Sequence, residues 1–127
     1  MNTTEHLSGK PGYTGLIRII KASGYSWNGL KAAFKFEAAV RQEALLLLLG
    51  SGVAISLKQP LIETFLMIAV LVLVLIVELL NSAIEATVDR IGVDHHPLSG
   101  RAKDIGSAAV FVALLFAAIT WAVMLLC

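Results

Sequence analysis

The last twenty-three residues of the chain, IGSAAVFVALLFAAITWAVMLLC from Ile105 to Cys127, carry no charge. A helix of about 20 apolar residues crosses the hydrocarbon of a bilayer. Two more uncharged runs precede it, ALLLLLGSGVAISL between Glu43 and Lys58 and TFLMIAVLVLVLIV between Glu63 and Glu78, each of fourteen residues. These reach a spanning length only if their helices run past the bordering charges. The charges then sit in the polar border of the membrane, where long side chains snorkel and carboxylates are tolerated. Over all 127 residues, 57% are hydrophobic and only 15% charged, against a usual charged share of about 25%. Mean hydropathy is +0.82. This composition excludes a disordered chain and a collagen-like fibre. A net charge of +1 excludes a nucleic-acid binder that works by charge. With one cysteine, Cys127, there is no disulfide framework and no cysteine zinc cluster. The expectation is an all-α membrane protein forming a single membrane domain over residues 1–127.

Lysine and arginine set the orientation. Lys10, Arg18, Lys21, Lys31, Lys35 and Arg41 precede the first span, and Arg90, Arg101 and Lys103 lie between the second and third. Only Lys58 lies between the first and second. The positive-inside rule puts the nine on the cytoplasmic side. The expected topology is three spans, about 38–57, 61–83 and 103–126, with the N-terminus inside and the C-terminus outside. The short connection Lys58-Gln59-Pro60 makes the first two spans a tight antiparallel hairpin. The opening residues MNTTEHLSGKPG contain no apolar stretch of the signal-peptide kind, so no cleaved leader is expected. Residues 13–36 read as an amphipathic helix on the membrane surface. Leu16, Ile19, Ile20, Leu30 and Phe34 share one face, Arg18 and Lys21 point away, and Tyr25 and Trp27 suit headgroup depth. Gly24, Ser26 and Gly29 weaken its middle and predict a break near Gly24.

The chemistry is concentrated at the cytoplasmic border. In ELLNSAIEATVDR, positions Glu78, Asn81, Glu85 and Asp89 fall within about 80° of arc on a helix of 3.6 residues per turn. They form a polar stripe that starts where an apolar run ends. An ionisable group at that depth is a functional candidate. At the start of the first span, Glu37 and Arg41 are one turn apart and positioned to pair, while Glu43 points elsewhere. At the start of the third, Ser99 is a candidate cap, and Arg101 and Lys103 stand beside the free amides of a helix start, a setting that binds phosphate. Carboxylate oxygens suit Mg²⁺, which keeps substrate phosphates among its ligands. A carboxylate at the apolar border can accept a proton from an alcohol. Together these features suggest Mg-nucleotide chemistry on an amphiphile with its hydroxyl at headgroup level.

Plainer readings stand beside this one. Glu37, Glu43 and Arg41 also fit as ordinary border charges. Glu78, Asn81 and Glu85 also fit as interhelical hydrogen-bonding groups, and Gly106-Ser107-Ala108-Ala109 as a close-packing patch. His95 and His96 also fit as solvated loop residues, and Trp27 and Trp121 as interface anchors. A small transporter or proton-relay subunit would need ionisable groups near the bilayer centre. Here every carboxylate except Glu5 and Glu63 lies at one border. A purely structural bundle is the remaining non-enzymatic alternative.

The strings RIIKASGYSW (Arg18 to Trp27), EAAVRQE (Glu37 to Glu43), ELLNSAIEATVDRIG (Glu78 to Gly92) and LSGRAKDIGSAAV (Leu98 to Val110) together resemble the small integral-membrane diacylglycerol kinases of bacteria. The resemblance runs from about Arg18 to Trp121 without gaps. It implies a homotrimer in the bacterial cytoplasmic membrane, with sites shared between protomers. It also implies transfer of the γ-phosphoryl group of ATP to the hydroxyl of diacylglycerol, giving phosphatidic acid by direct in-line displacement. By motif, Glu78 is the expected general base and Asn81 positions groups beside it. Glu37 and Glu85 are the expected Mg²⁺ ligands. The nucleotide is expected to meet Arg18, Tyr25, Glu37, Glu85, Asp94, His95, His96, Lys103 and Asp104. The lipid is expected to meet Arg18, Ser26, Trp27, Glu43, Glu78 and Ser107. The chain departs from the family's Glu-x-His-Glu loop with Asp94-His95-His96-Pro97, which shortens one carboxylate and removes one backbone donor. An undecaprenol kinase of the same family is the nearest alternative; the polar residues of the surface helix and Trp27 favour the glycerolipid.

Overall fold

A computed structural model describes residues 14–92 and 94–127, all of whose regular structure is helical. Four helices follow one another: α1 (Gly15–Phe36), α2 (Ala38–Ser56), α3 (Leu61–Ile91) and α4 (Pro97–Leu126). Lys10 and Tyr13, which entered the expected topology and the surface helix, lie outside the described residues, as does Val93. The chain divides into two compact units, Met1–Ala32 and Ala33–Cys127.

α1, whose last four residues already belong to the second unit, runs unbroken through Gly24, against the expected break. Two glycines cost a helix interior roughly 1 kcal/mol each, and the hydroxyls here do not compete for another conformation. Ser23 Oγ donates to the Ile19 carbonyl at 2.9 Å and Ser26 Oγ to that of Ala22 at 3.0 Å, both one turn back within the helix. No residue of α1 is buried.

In the second unit, α2, α3 and α4 are each long and apolar enough to cross a membrane, with mean hydropathies of 1.4, 2.7 and 2.6. A helix satisfies every backbone group internally, which is what a hydrocarbon environment demands. Both longer helices exceed the expected spans. α3 continues from 83 to Ile91 and α4 begins at Pro97 rather than 103, because the polar stripes are themselves helical. α3 packs against both α2 and α4. Its core-facing Val70, Leu71 and Val74 meet Ala113 and Ala117 of α4, with Leu47, Val77 and Trp121 against them. Large side chains such as Leu48, Phe65, Phe111 and Phe116 face outward, as lipid-facing residues do.

Small residues set the helix separation, as they do where lipid is as apolar as leucine. At Gly50 a Cβ would overlap Leu71 Cδ1 and lie 3.6 Å from Trp121 Cζ2. Trp121 is more than the interface anchor its type suggests: its indole N–H donates to the Met67 carbonyl at 3.0 Å, tying α4 to α3. At the same end Gln59 Nε2 donates to the Met124 carbonyl at 3.0 Å. Such bonds contribute roughly 0.6–2 kcal/mol each. The hairpin between α2 and α3 closes through Lys58, whose φ of 55° is left-handed. That is the conformation in which helices commonly end.

Gly50→Val should therefore lower stability by about 1–3 kcal/mol by overpacking, measured by denaturation in mixed micelles. Gly52→Ala, where nothing stands within 4 Å of the added carbon, should leave stability unchanged or raise it.

Candidate active site

The antiparallel register of α2 and α3 builds the polar end. Gly50 meets Leu71. Seven residues before Gly50 is Glu43, and seven after Leu71 is Glu78. Two helical turns, about seven residues, therefore carry both helices to the same level. About two further turns bring Glu37 and Glu85 to a common level. Glu37, Glu43 and Glu85 all act electrostatically on Glu78. Glu78 is 5% exposed and Asn81 7%, while Glu37, Glu43 and Glu85 are half-buried. Asn81 Nδ2 donates to Glu85 Oε1 at 3.4 Å, a long bond.

Glu37 is the residue before α2 and stands in extended backbone, and its side chain makes no capping bond. Its carboxylate remains available for other partners. Arg41 does not turn to it, contrary to the expected pairing. Arg41 Nη1 donates to the carbonyls of Phe34 at 2.7 Å and Lys35 at 3.3 Å. The last carbonyls of α1 lack helical partners, and the guanidinium satisfies them.

At the start of α4 the cap is His96, not Ser99. His96 Nδ1 accepts from the Leu98 N–H at 3.0 Å. Pro97 follows inside the first turn. A proline there loses a donor that the helix would leave unpaired anyway, so the loop's departure from Glu-x-His-Glu costs the fold nothing at that position. His95, His96, Gly100, Arg101 and Asp104 line an open groove of about 550 Å³. Lys103 lies outside that lining. Its Nζ pairs with Asp89 Oδ1 at 2.7 Å and also interacts electrostatically with Glu85.

The structure thus gathers Glu37, Glu43, Glu78, Asn81 and Glu85, with Lys103 beside Glu85. It gathers His95, His96 and Asp104 in the groove on α4. Asp94 and Ser107 are exposed, on the loop and on α4. Arg18, Tyr25, Ser26 and Trp27 belong to α1 and its own unit. Among the described residues no three His, Cys, Asp or Glu side chains form a ready-made metal cage. The carboxylates of Glu37, just before α2, and Glu85, on α3, are nevertheless of the donor type that Mg²⁺ takes, one or two at a time, with phosphate and water in its remaining positions.

The family profile for prokaryotic diacylglycerol kinase matches residues 24–125. The chain belongs to the prokaryotic diacylglycerol kinase family. The diacylglycerol kinase of Escherichia coli (strain K12) is 57% identical over 112 residues, which cover 88% of this chain and 92% of that protein. The diacylglycerol kinase of Pseudomonas aeruginosa is 58% identical over 115 residues, covering 91% and 94%. That of Haemophilus influenzae is 50% identical over 108 residues, covering 85% and 92%.

Within this diacylglycerol kinase family member, Arg101, expected beside Lys103 as a phosphate-binding cation at the helix start, lines the groove with the expected nucleotide residues. Two site features escaped the sequence reading. Asp89, already on the stripe, is the partner of Lys103. Ser82, next to Asn81, is 8% exposed and its Oγ makes no hydrogen bond; nothing in its type or spacing marks it.

The Lys103–Asp89 pair holds α4 to α3 only weakly, because both side chains are about half exposed, at 43% and 58%. Asp89→Asn is expected to leave the unfolding midpoint in detergent unchanged within error.

Proposed function

We propose that the chain passes the γ-phosphoryl group of ATP directly to the hydroxyl of diacylglycerol, at carboxylates set where its helices leave the apolar interior. By family it is an ATP-dependent diacylglycerol kinase of a bacterial membrane. The observation that carries the proposed mechanism is Glu78, buried at the end of an apolar helix with Asn81 and three further carboxylates around it.

In this reading Glu78 takes the proton of the lipid hydroxyl as the oxygen bonds to the γ-phosphorus and the bond to the β-phosphate oxygen breaks, releasing ADP. Glu37 and Glu85 would hold Mg²⁺, with phosphate oxygens completing its ligands. The bound metal supplies neutralisation of the polyphosphate charge. Asn81 orients Glu85 and the groups beside Glu78. Lys103 faces the γ-phosphate. Asp94, His95, His96 and Asp104 hold the nucleotide, with Arg18 and Tyr25 reaching it from α1. Glu43, Ser26, Trp27 and Ser107 line the lipid side, Arg18 touching both substrates. Phosphoryl transfer needs mainly positioning and charge neutralisation, so no phosphoenzyme is required. Diacylglycerol enters sideways from the bilayer past the surface helix. That route avoids extracting its acyl chains at about 0.8 kcal/mol per CH₂.

The assembly is a homotrimer with shared sites. The groove on α4 contains none of the carboxylates of α2 or α3, which suits a nucleotide held by one protomer and delivered to the acids of the next. The polar end and the N-terminus face the cytoplasm, and Cys127 faces outward.

Purified protein with Mg-ATP and diacylglycerol in mixed micelles should form phosphatidic acid. Glu78→Gln and Glu85→Gln should each lose at least roughly 100-fold in kcat; wild-type turnover in either removes its assigned role. Mixing Glu78→Gln with Asp104→Asn protomers should restore part of the activity, and no restoration would count against shared sites. A membrane-impermeant maleimide added to spheroplasts should label Cys127, the one cysteine; labelling only after lysis would reverse the topology.

A further inference from the structure

We propose that Gly106 is a positioning residue for catalysis, acting by leaving room for the Asn81 amide between α3 and α4. The inference rests on the active-site reading above. Asn81 is more than nine-tenths buried, and its Oδ1 has no hydrogen-bond partner. The Glu85 carboxylate accepts hydrogen bonds and cannot donate, so only Nδ2 can face it. That fixes the amide's orientation and turns Oδ1 toward α4. There it meets Gly106. A Cβ at position 106 would overlap Oδ1 and stand 3.3 Å from Cγ of Asn81. Gly100, six residues earlier on the same helix, has nothing within 4 Å. Of the two glycines on α4, only Gly106 makes this close approach, which a reading of the small residues as a general packing patch does not distinguish.

The overlapped atom is the far end of a flexible side chain and not backbone. An added methyl therefore does not need to push the helices apart; it turns the amide. Alanine is also the better helix former. The substitution should thus spare the fold while moving Nδ2 off Glu85 and changing what stands beside Glu78. Shifts of about 1 Å in positioning groups cost up to about 100-fold in rate.

The test uses the full chain in mixed micelles. Gly106→Ala should keep the wild-type melting midpoint or raise it. Its kcat should fall roughly 10- to 100-fold, with KM for Mg-ATP and for diacylglycerol within about twofold of wild type. Asn81→Ala removes the overlapped atoms, so adding Gly106→Ala to it should cause no further loss, a non-additivity expected only of coupled neighbours. Gly52→Ala, remote from the site, should behave as wild type. A wild-type kcat in Gly106→Ala would overturn the proposal. So would a loss that multiplies with that of Asn81→Ala, or a lowered melting midpoint. If the unmutated chain phosphorylates no diacylglycerol, the active-site reading itself fails, whatever the variants do.

Discussion

The close approach of α3 to its two neighbours is the contact on which the rest of the molecule depends. Within lipid there is no hydrophobic drive to bring helices together, so packing depends on backbones that can come near. Gly50 admits Leu71 at one level and Gly106 admits Asn81 at another. The first contact fixes the register of α2 against α3, and that register decides which acids share a level. The second leaves room for the Asn81 amide where α4 passes the acid stripe. The same device, a missing Cβ, holds the fold in the apolar half and shapes the site in the polar half.

One face of α3 serves both halves. Met67, Leu71 and Val74 are buried in the bundle, and the same helical direction continues through Glu78, Asn81 and Glu85. Because the helix does not break where the oil ends, the direction that packs the core also turns the acids inward. A carboxylate at 5% exposure is thus a consequence of helix continuity and not of a separate loop built to carry it. Ser82, on the same turn, is drawn in with them and left without a hydrogen-bond partner.

Much of this was legible in the sequence, and the parts that were not have definable causes. The three spans follow from uncharged length, and the stripe from 78, 81, 85 and 89 follows from helical period. Both signals are long and repetitive. Caps are short and depend on backbone angles, which is why Ser99 stood out by residue type while His96, with its extended backbone and ring nitrogen, holds the position. Arg41 looked like a partner for Glu37 from spacing alone, yet the helix ends one residue before Glu37 and leaves carbonyls that a guanidinium satisfies better. Gly24 looked like a break from propensity alone, yet the helix runs through it. Gly106 and Trp121 owe their roles to residues on another helix, 25 and 54 positions away, at Asn81 and Met67. No local pattern contains that information.

The acids at the polar end are difficult to explain as structural elements. At an effective dielectric of about 20, two like charges about 4 Å apart repel by roughly 4 kcal/mol, less as they separate. Interhelical hydrogen bonds contribute roughly 0.6–2 kcal/mol each, and the Asn81–Glu85 bond is a long one. Glu37, Glu43 and Glu85 all press on Glu78, and the nearby cation, Lys103, is already paired with Asp89. A bundle selected for stability alone would carry amides or apolar groups at these positions. In the proposed reaction a divalent cation and the phosphates it carries would offset the mutual repulsion of these four carboxylates.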